Sequence, residues 1–326
     1  MSWLVTGGAG YIGAHVVAAL HDAGEPVVVL DDLSTGERSR AGTATFVQGS
    51  VLDDSLVRRM LREHAVRGIV HIAAKKQVGE SMADPLKYYR ENVVGTSMLL
   101  DAAVDAGVES FVFSSSAATY GMPDVDMVDE DTPLDPISVY GRTKLIGEWA
   151  ARDVAAATGL RAVSLRYFNV AGAASAELGD PGVFNLIPMV FEALSAGRAP
   201  RIFGADYPTP DGTCIRDYVH VADIAAAHVA ALRWLTEGSS SYQVLNIGRG
   251  EGASVRDVLA TVASVTGIAF EPEVVERRPG DPARIVARVD RIRDTLGFTA
   301  RYDLNDMVAS AWSAWVARHG EPARQP

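Results

Sequence analysis

The chain has 326 residues, 48% of them hydrophobic, which suffices for a sizeable buried core. Forty-one acidic residues against thirty basic ones leave a formal charge of -11, which repels a phosphate backbone and excludes nucleic acid as a partner. The one cysteine, Cys214, allows no intrachain disulfide and no cysteine-based metal site, so no metal is expected and the cytoplasm is the expected compartment.

In chain order, Trp3 to Thr6 reads as a strand, Gly7 to Gly13 as a turn, Tyr11 to Ala23 as a helix stopped by Gly24, and Val27 to Leu30 as a second strand. This is a βαβ unit. With no basic leader and four glycines in the first turn, the start is expected to be strand and turn, not a signal. Further strands are expected near Phe46, at Ile69 to Ile72, Phe111 to Ser114 and Ala162 to Leu165. Helices are expected over Leu56 to Glu63, Leu86 to Ala106 and Tyr140 to Thr158. Such alternation predicts an α/β fold with a doubly wound parallel sheet, the Rossmann arrangement.

After about Asn169 the rhythm loosens, with Pro and Gly scattered through Gly172 to Gly182 and Gly204 to Gly212. A smaller C-terminal α/β substrate-binding region is expected there, with helices around Val183 to Ala196, Val221 to Leu235, Val255 to Val265 and Leu304 to Ala317. The expected division is 1–168 for a dinucleotide and 169–326 for substrate, with some interleaving of the chain. Ser239 to Ser241 reads as a solvated turn and Glu321 to Pro326 as a frayed tail. No stretch of about 18 apolar residues runs uninterrupted, so no membrane span is indicated.

Gly7, Gly10 and Gly13 stand between a strand and a helix, where backbone N–H groups and the helix N-terminus can face a pyrophosphate without obstruction by Cβ atoms. Asp31 ends the second strand, about 20 residues further on, where a carboxylate can accept both adenosine ribose hydroxyls. A 2′-phosphate there meets like charge, so NAD is favoured over NADP. Arg38 and Arg40 lie nearby in sequence, but the loop from Ser34 separates them from the strand end.

Tyr140 and Lys144 are four apart and so share one helix face, with Ser138 as the expected N-cap. A free tyrosine titrates near about 10. The Lys144 ammonium and a positive nicotinamide ring both favour the phenolate, so Tyr140 is expected to serve as a base, with Lys144 also holding the nicotinamide ribose. Ser116 follows the strand Phe111 to Ser114, where it can orient the proton. A hydride and a proton leaving one alcohol carbon is the chemistry these residues suggest.

The chain resembles the extended short-chain dehydrogenase/reductase superfamily and, within it, the UDP-glucose 4-epimerase family, over nearly its whole length. The likeness rests on the Gly7 turn, Asp31 to Gly36, Val78 to Ser81, Phe113 to Ala117, Tyr140 with Lys144, and Arg166 to Asn169. Its most specific stretches are Phe203 to Thr209, Asp211 to Thr213 and Arg216 to Val221. The resemblance implies transient oxidation at the sugar C4 by resident NAD, followed by return of hydride to the opposite face. For the cofactor it implies Gly7, Gly10, Tyr11, Ile12 and Gly13, then Asp31, Asp32, Leu33, Ser34, Thr35 and Gly36. It further implies Ser50, Val51, Ile72, Ala73, Ala74, Lys76, Asn92, Ser114, Tyr140, Lys144 and Phe168. For the UDP-sugar it implies Lys76, Ser116, Tyr140, Asn169, Asn185, Leu186, Phe203, Arg216, Arg278 and Asp281, the two arginines clamping the pyrophosphate. It also implies a homodimer, with helices Leu86 to Ala106 and Tyr140 to Thr158 forming a four-helix bundle.

Some positions depart from the family pattern. Ser50 replaces an aspartate that contacts the adenine amino group, Asp32 an asparagine, and Cys214 a glycine; Cys214 reads as buried packing. Ile285 stands where the family limits sugar size and is neither a tyrosine nor a small residue, leaving N-acetylated UDP-sugars as an alternative substrate. A sugar-nucleotide 4,6-dehydratase shares the fold but needs an acid and a base that Ser115 to Ala118 do not offer. A non-catalytic NAD sensor is the alternative from another class; loss of Tyr140 or Lys144 would be its usual mark, and both are present.

Overall fold

Alternating side chains divide the first strand, β1 (Ser2–Thr6), between two cores: Trp3 and Val5 join one hydrophobic cluster and Leu4 the other. A strand covered on both faces requires this. The computed structural model describes residues 2–238, 241–278 and 280–322. Ser239 and Ser240 of the expected serine turn, and the tail from 323 onward, lie outside the described residues.

The strands that follow are β2 (Val27–Asp31), β3 (Thr45–Gln48), β4 (Val66–His71), β5 (Ser110–Ser116), β6 (Arg161–Tyr167), β7 (Asn169–Ala171), β8 (Arg201–Phe203), β9 (Ile215–His220), β10 (Tyr242–Ile247), β11 (Gly252–Ser254), β12 (Glu273–Val275) and β13 (Arg284–Ile285). Seven of them form one sheet in the order β3-β2-β1-β4-β5-β6-β10. All its pairings are parallel. The strand order reverses between β1 and β4, and ligands of such sheets collect beyond the carboxyl ends of the strands at that point.

Helices α1 (Tyr11–Asp22), α2 (Asp54–Glu63), α3 (Val78–Ala83), α4 (Pro85–Tyr88), α5 (Gly95–Asp105), α6 (Val139–Ala157), α7 (Leu186–Ser195), α8 (Val221–Glu237), α9 (Val255–Thr266), α10 (Asp290–Leu296) and α11 (Leu304–His319) complete the chain. The expected helix Leu86 to Ala106 is interrupted, since Tyr89–Val94 between α4 and α5 winds as a π-helix. Such wide turns often sit at functional sites. α1 and α8 cover one face of the large sheet through Val16, Leu20, Ile224 and Leu232; α2, α5 and α6 cover the other through Leu61, Leu99 and Ala151.

One strand of the large sheet escaped the sequence reading. β10 returns to the edge of the large sheet beside β6, although it follows the Pro- and Gly-rich stretch. Gln243 and Asn246 interrupt its apolar pattern. Asn246 is nevertheless fully buried, accepting from the Tyr120 hydroxyl at 2.6 Å and donating to the Val128 carbonyl at 3.1 Å. Buried polar groups satisfied in this way are compatible with a core strand.

The smaller region carries a sheet ordered β11-β9-β13 with β7 also on β9, and a separate pair β12-β8. Its core gathers Ile187, Phe191, Ile202, Val258, Met307 and Trp315. Capping boxes, Ser254 with Asp257 and Asp303 with Asp306, start α9 and α11. Among the described residues no helix is long and apolar enough to cross a membrane.

Candidate active site

The turn from β1 into α1 is tightened until only glycine fits. Gly7 has φ +73°, and a Cβ on Gly13 would lie 2.0 Å from the Gly7 carbonyl oxygen. No side chain caps α1, whose N-cap is Gly10, and its first turn holds no acidic residue. An uncapped helix start that excludes Cβ atoms fits a dinucleotide pyrophosphate. Tyr11 is buried beside it, its hydroxyl donating to the Gly172 carbonyl at 2.5 Å, while Ile12 is half-buried.

Asp31 is buried at the end of β2, and its carboxylate accepts from the Ala9 amide at 2.9 Å and the Leu33 amide at 2.8 Å. Burial raises its pKa, against the pull of those two amides. The loop of Asp32, Leu33, Ser34, Thr35 and Gly36 continues from it with Asp32, Ser34 and Thr35 exposed. Ser50 is half-buried, accepts from the Leu52 amide at 3.1 Å, and neighbours buried Val51. Arg38 stacks 4.2 Å over the Phe46 ring, and Arg40 donates to the Glu177 and Leu178 carbonyls. Arg40 is thus held by carbonyls of a distant segment, while exposed Arg38 lies on an aromatic ring. Ile72, Ala73 and Ala74 leave β4 half-buried beside the turn, followed by exposed Lys76.

Ser138 caps α6 by accepting from the Gly141 amide at 3.0 Å, which sets Tyr140 and Lys144 in the first two turns. Lys144 is buried, its ammonium donating to the Ser114 carbonyl at 2.7 Å and lying 5.9 Å from the Tyr140 ring centroid. Burial lowers the Lys144 pKa to about 8, opposed by the Glu148 carboxylate. Burial raises the pKa of half-buried Tyr140, and a hydrogen bond with Ser116 lowers it. The direction corrects the sequence expectation for the chain alone: desolvation of the phenol outweighs its neighbours.

Seven residues expected to meet a UDP-sugar line one cavity of about 440 Å³: Asn169, Asn185, Leu186, Phe203, Arg216, Arg278 and Asp281. Lys76, Ser116 and Tyr140 are not on its wall. The Arg278 guanidinium stacks 3.7 Å over the Phe203 ring, Arg216 pairs with Asp281 at 3.0 Å, and Asn185 donates to Asp180 at 3.0 Å. Cys214 is buried, and it also reaches the cavity wall. A neighbouring cavity of about 340 Å³ shares Asn169, Asn185, Leu186 and Tyr218 and runs towards Tyr11 and Trp315. Phe168 and Ile285 pack together with Ala117 and Tyr120 in a small cluster at the end of β6.

A model of the NAD dependent epimerase/dehydratase family matches residues 3–248. The chain belongs to this family. It is 47% identical over 317 residues to a UDP-glucose 4-epimerase of Azospirillum brasilense, covering 96% of this chain and 91% of that one. Among solved structures of the family, a UDP-glucose-4-epimerase from Stenotrophomonas maltophila with bound NAD and formylated UDP-arabinopyranose superposes with a TM-score of 0.94 at 40% identity, covering 98% of each chain. A UDP-glucose 4-epimerase from Brucella ovis in complex with NAD gives 0.93 at 41% identity, again covering 98% of each.

In this member of the family, the expected cofactor residue Asn92 is joined around the site by Thr143, Tyr167, His228 and Glu148, which were not singled out from sequence. Asn92 is buried on the π-helical turn; its side chain accepts from the Lys75 amide at 2.8 Å and donates to the Lys75 carbonyl and the Thr143 hydroxyl, both at 3.0 Å. Thr143 in turn donates to the Tyr140 carbonyl at 2.8 Å. Below Lys144, His228 donates through Nδ1 to the Ile224 carbonyl, so its Nε2 accepts from Tyr167, which accepts from Ser114 at 2.6 Å. Burial keeps His228 neutral, with its pKa lowered to about 4. Glu148 was legible in principle, being four residues beyond Lys144 on the face that already carries Tyr140. It accepts from Ser115 at 2.5 Å and pairs with Arg166 at 2.7 Å.

Proposed function

We propose that this chain is a UDP-glucose 4-epimerase, interconverting UDP-glucose and UDP-galactose with resident NAD. The reading is carried by Tyr140, Lys144 and Ser116 meeting at the carboxyl end of β5 in a family member whose cavity in the smaller region is lined by two arginines of the expected UDP-sugar set. Residues 1–168 hold the cofactor and 169–326 the UDP-sugar, with β10 crossing back to the first sheet. Arg216 and Arg278 bind the pyrophosphate as guanidinium forks, while Asn169, Asn185, Leu186, Phe203 and Asp281 fix the nucleotide and sugar.

Tyr140, as its phenolate, takes the proton of the sugar 4-hydroxyl as a 4-keto sugar forms, then as the phenol returns it to the same oxygen once the sugar has turned its other face. NAD, when bound, supplies the acceptor and then the donor of the C4 hydride. Lys144 steadies the phenolate, and Ser116 orients the exchanged proton. Glu148, tied to Ser115 and Arg166, is not free to act as the acid of a dehydratase. The test is incubation with UDP-galactose and no added NAD. UDP-glucose should appear without net absorbance at the reduced-nicotinamide band; a chain loaded with NAD that forms no product overturns the reading.

A homodimer belongs to the same proposal. Leu86 is 77% exposed, Val94 46% and Trp149 48%, apolar groups on the two helical rods expected to pair in a four-helix bundle. Trp149→Glu should convert a dimer to a monomer in sedimentation velocity. A chain already monomeric before the substitution sinks this part.

A further inference from the structure

Two loops flank the glycine turn, one after β2 and one after β4, and a single side chain ties them across it. The Lys75 ammonium donates to the Ser34 hydroxyl at 2.9 Å and stands 4.0 Å from the Asp32 carboxylate. Its backbone is held on both sides: the Asn92 side chain accepts from the Lys75 amide and donates to the Lys75 carbonyl. Asn92 also donates to Thr143, whose hydroxyl donates to the Tyr140 carbonyl, so this lysine is anchored to the helix that carries the phenol.

The opposite loop is fixed at its ends and exposed at its tip. Asp31 accepts from the Ala9 amide, and the Glu37 amide donates to the Ala9 carbonyl at 3.1 Å, pinning both ends of the loop to the glycine turn. Between those pins Asp32, Ser34 and Thr35 are exposed. The Ser34 amide closes a short turn onto Asp32 at 2.9 Å, a contact local to the loop. Lys75 supplies a contact to the tip from across the groove. Of the other cations near this loop, Arg38 lies on Phe46, Arg40 donates to the Glu177 and Leu178 carbonyls, and Arg318 pairs with Glu37.

We propose that Lys75 is a positioning residue that latches the Asp32–Gly36 loop over the adenosine half of NAD and slows cofactor release. The inference rests on the NAD reading above and deepens it. An ion pair this exposed contributes little to stability by itself. Its consequence is kinetic. The adenosine end cannot leave until the loop tip lifts, and the tip lifts only when the Lys75–Ser34 hydrogen bond breaks. A hydrogen bond from a charged donor corresponds to about tenfold in a dissociation rate.

The experiment follows release of bound NAD by exchange against excess fluorescent NAD analogue, in the wild type, Lys75→Met, Ser34→Ala and the double variant. Lys75→Met should release NAD about tenfold faster, and Lys75→Arg should restore much of the loss. The double variant should be no faster than Lys75→Met, because both substitutions break one contact. Ser34→Ala removes the acceptor without touching the lysine, so the latch is tested even where Lys75→Met folds poorly. Equal rates in the wild type and the single variants, or effects that multiply in the double variant, overturn the latch alone. A wild-type chain that binds no NAD overturns the latch and the functional reading together.

Discussion

Tyr140→Phe should lower kcat for UDP-galactose by about a thousandfold, the usual scale of a lost general acid–base. The ring can stay where it is, since α6 is set by the Ser138 cap and by Lys144 bonding the Ser114 carbonyl, neither of which uses the phenol oxygen. The loss should therefore fall on turnover, with NAD content and melting temperature close to the wild type. The phenol also has no ready substitute. Ser116 is a far weaker base, and His228 is a neutral ring held two hydrogen bonds below the Ser114 hydroxyl. Burial raises the Tyr140 pKa in the chain alone, so the phenolate needs cationic neighbours during catalysis; Lys144, 5.9 Å from the ring, is one that the chain provides. Retention of kcat within about tenfold would remove Tyr140 from the mechanism.

Arg166→Met should cost on the order of 3–5 kcal/mol of stability, because it strands a buried carboxylate. Arg166 and Glu148 have side chains only 3% exposed and pair at 2.7 Å. The guanidinium also donates to the Tyr120 hydroxyl at 3.0 Å and the Glu130 carbonyl at 3.3 Å, and Tyr120 passes the connection to Asn246 on β10. One residue thus joins α6, β6, β10 and the segment before α6. Burial holds Arg166 in a desolvated site, yet its pKa is raised, because the Glu148 carboxylate more than offsets the desolvation. Urea denaturation at neutral pH reads the effect. The double variant Arg166→Met with Glu148→Leu should recover most of the loss, since no charge is then left unpaired. A single variant within about 1 kcal/mol of the wild type would show that solvent reaches the pair.

Much of this protein was legible in its sequence because the signals are local. The alternation of strand-like and helix-like segments gave the doubly wound sheet, since strands covered on both faces read as short continuous apolar runs between helical patterns. Glycines at 7, 10 and 13 marked the cofactor turn because any Cβ at Gly13 collides with the Gly7 carbonyl. The spacing of Tyr140 and Lys144 placed them on one helix face whatever the rest of the chain does. The seven residues that line the larger cavity were legible only through the family resemblance, as no spacing joins Asn169 to Asp281.

Tertiary structure alone decided the remainder. β10 is in the large sheet because Asn246 finds buried partners on distant segments, which no local pattern announces. The direction of the Tyr140 shift depends on how much protein closes over the phenol, and the reach of Lys75 to Ser34 on which strand ends lie side by side. Sequence by itself determined the elements, the glycine turn and the face that bears the phenol and the ammonium, since those follow from backbone geometry within a few residues. Burial, hydrogen-bond partners and the cavity are properties of surfaces brought together by long-range packing, so only the folded chain could fix them.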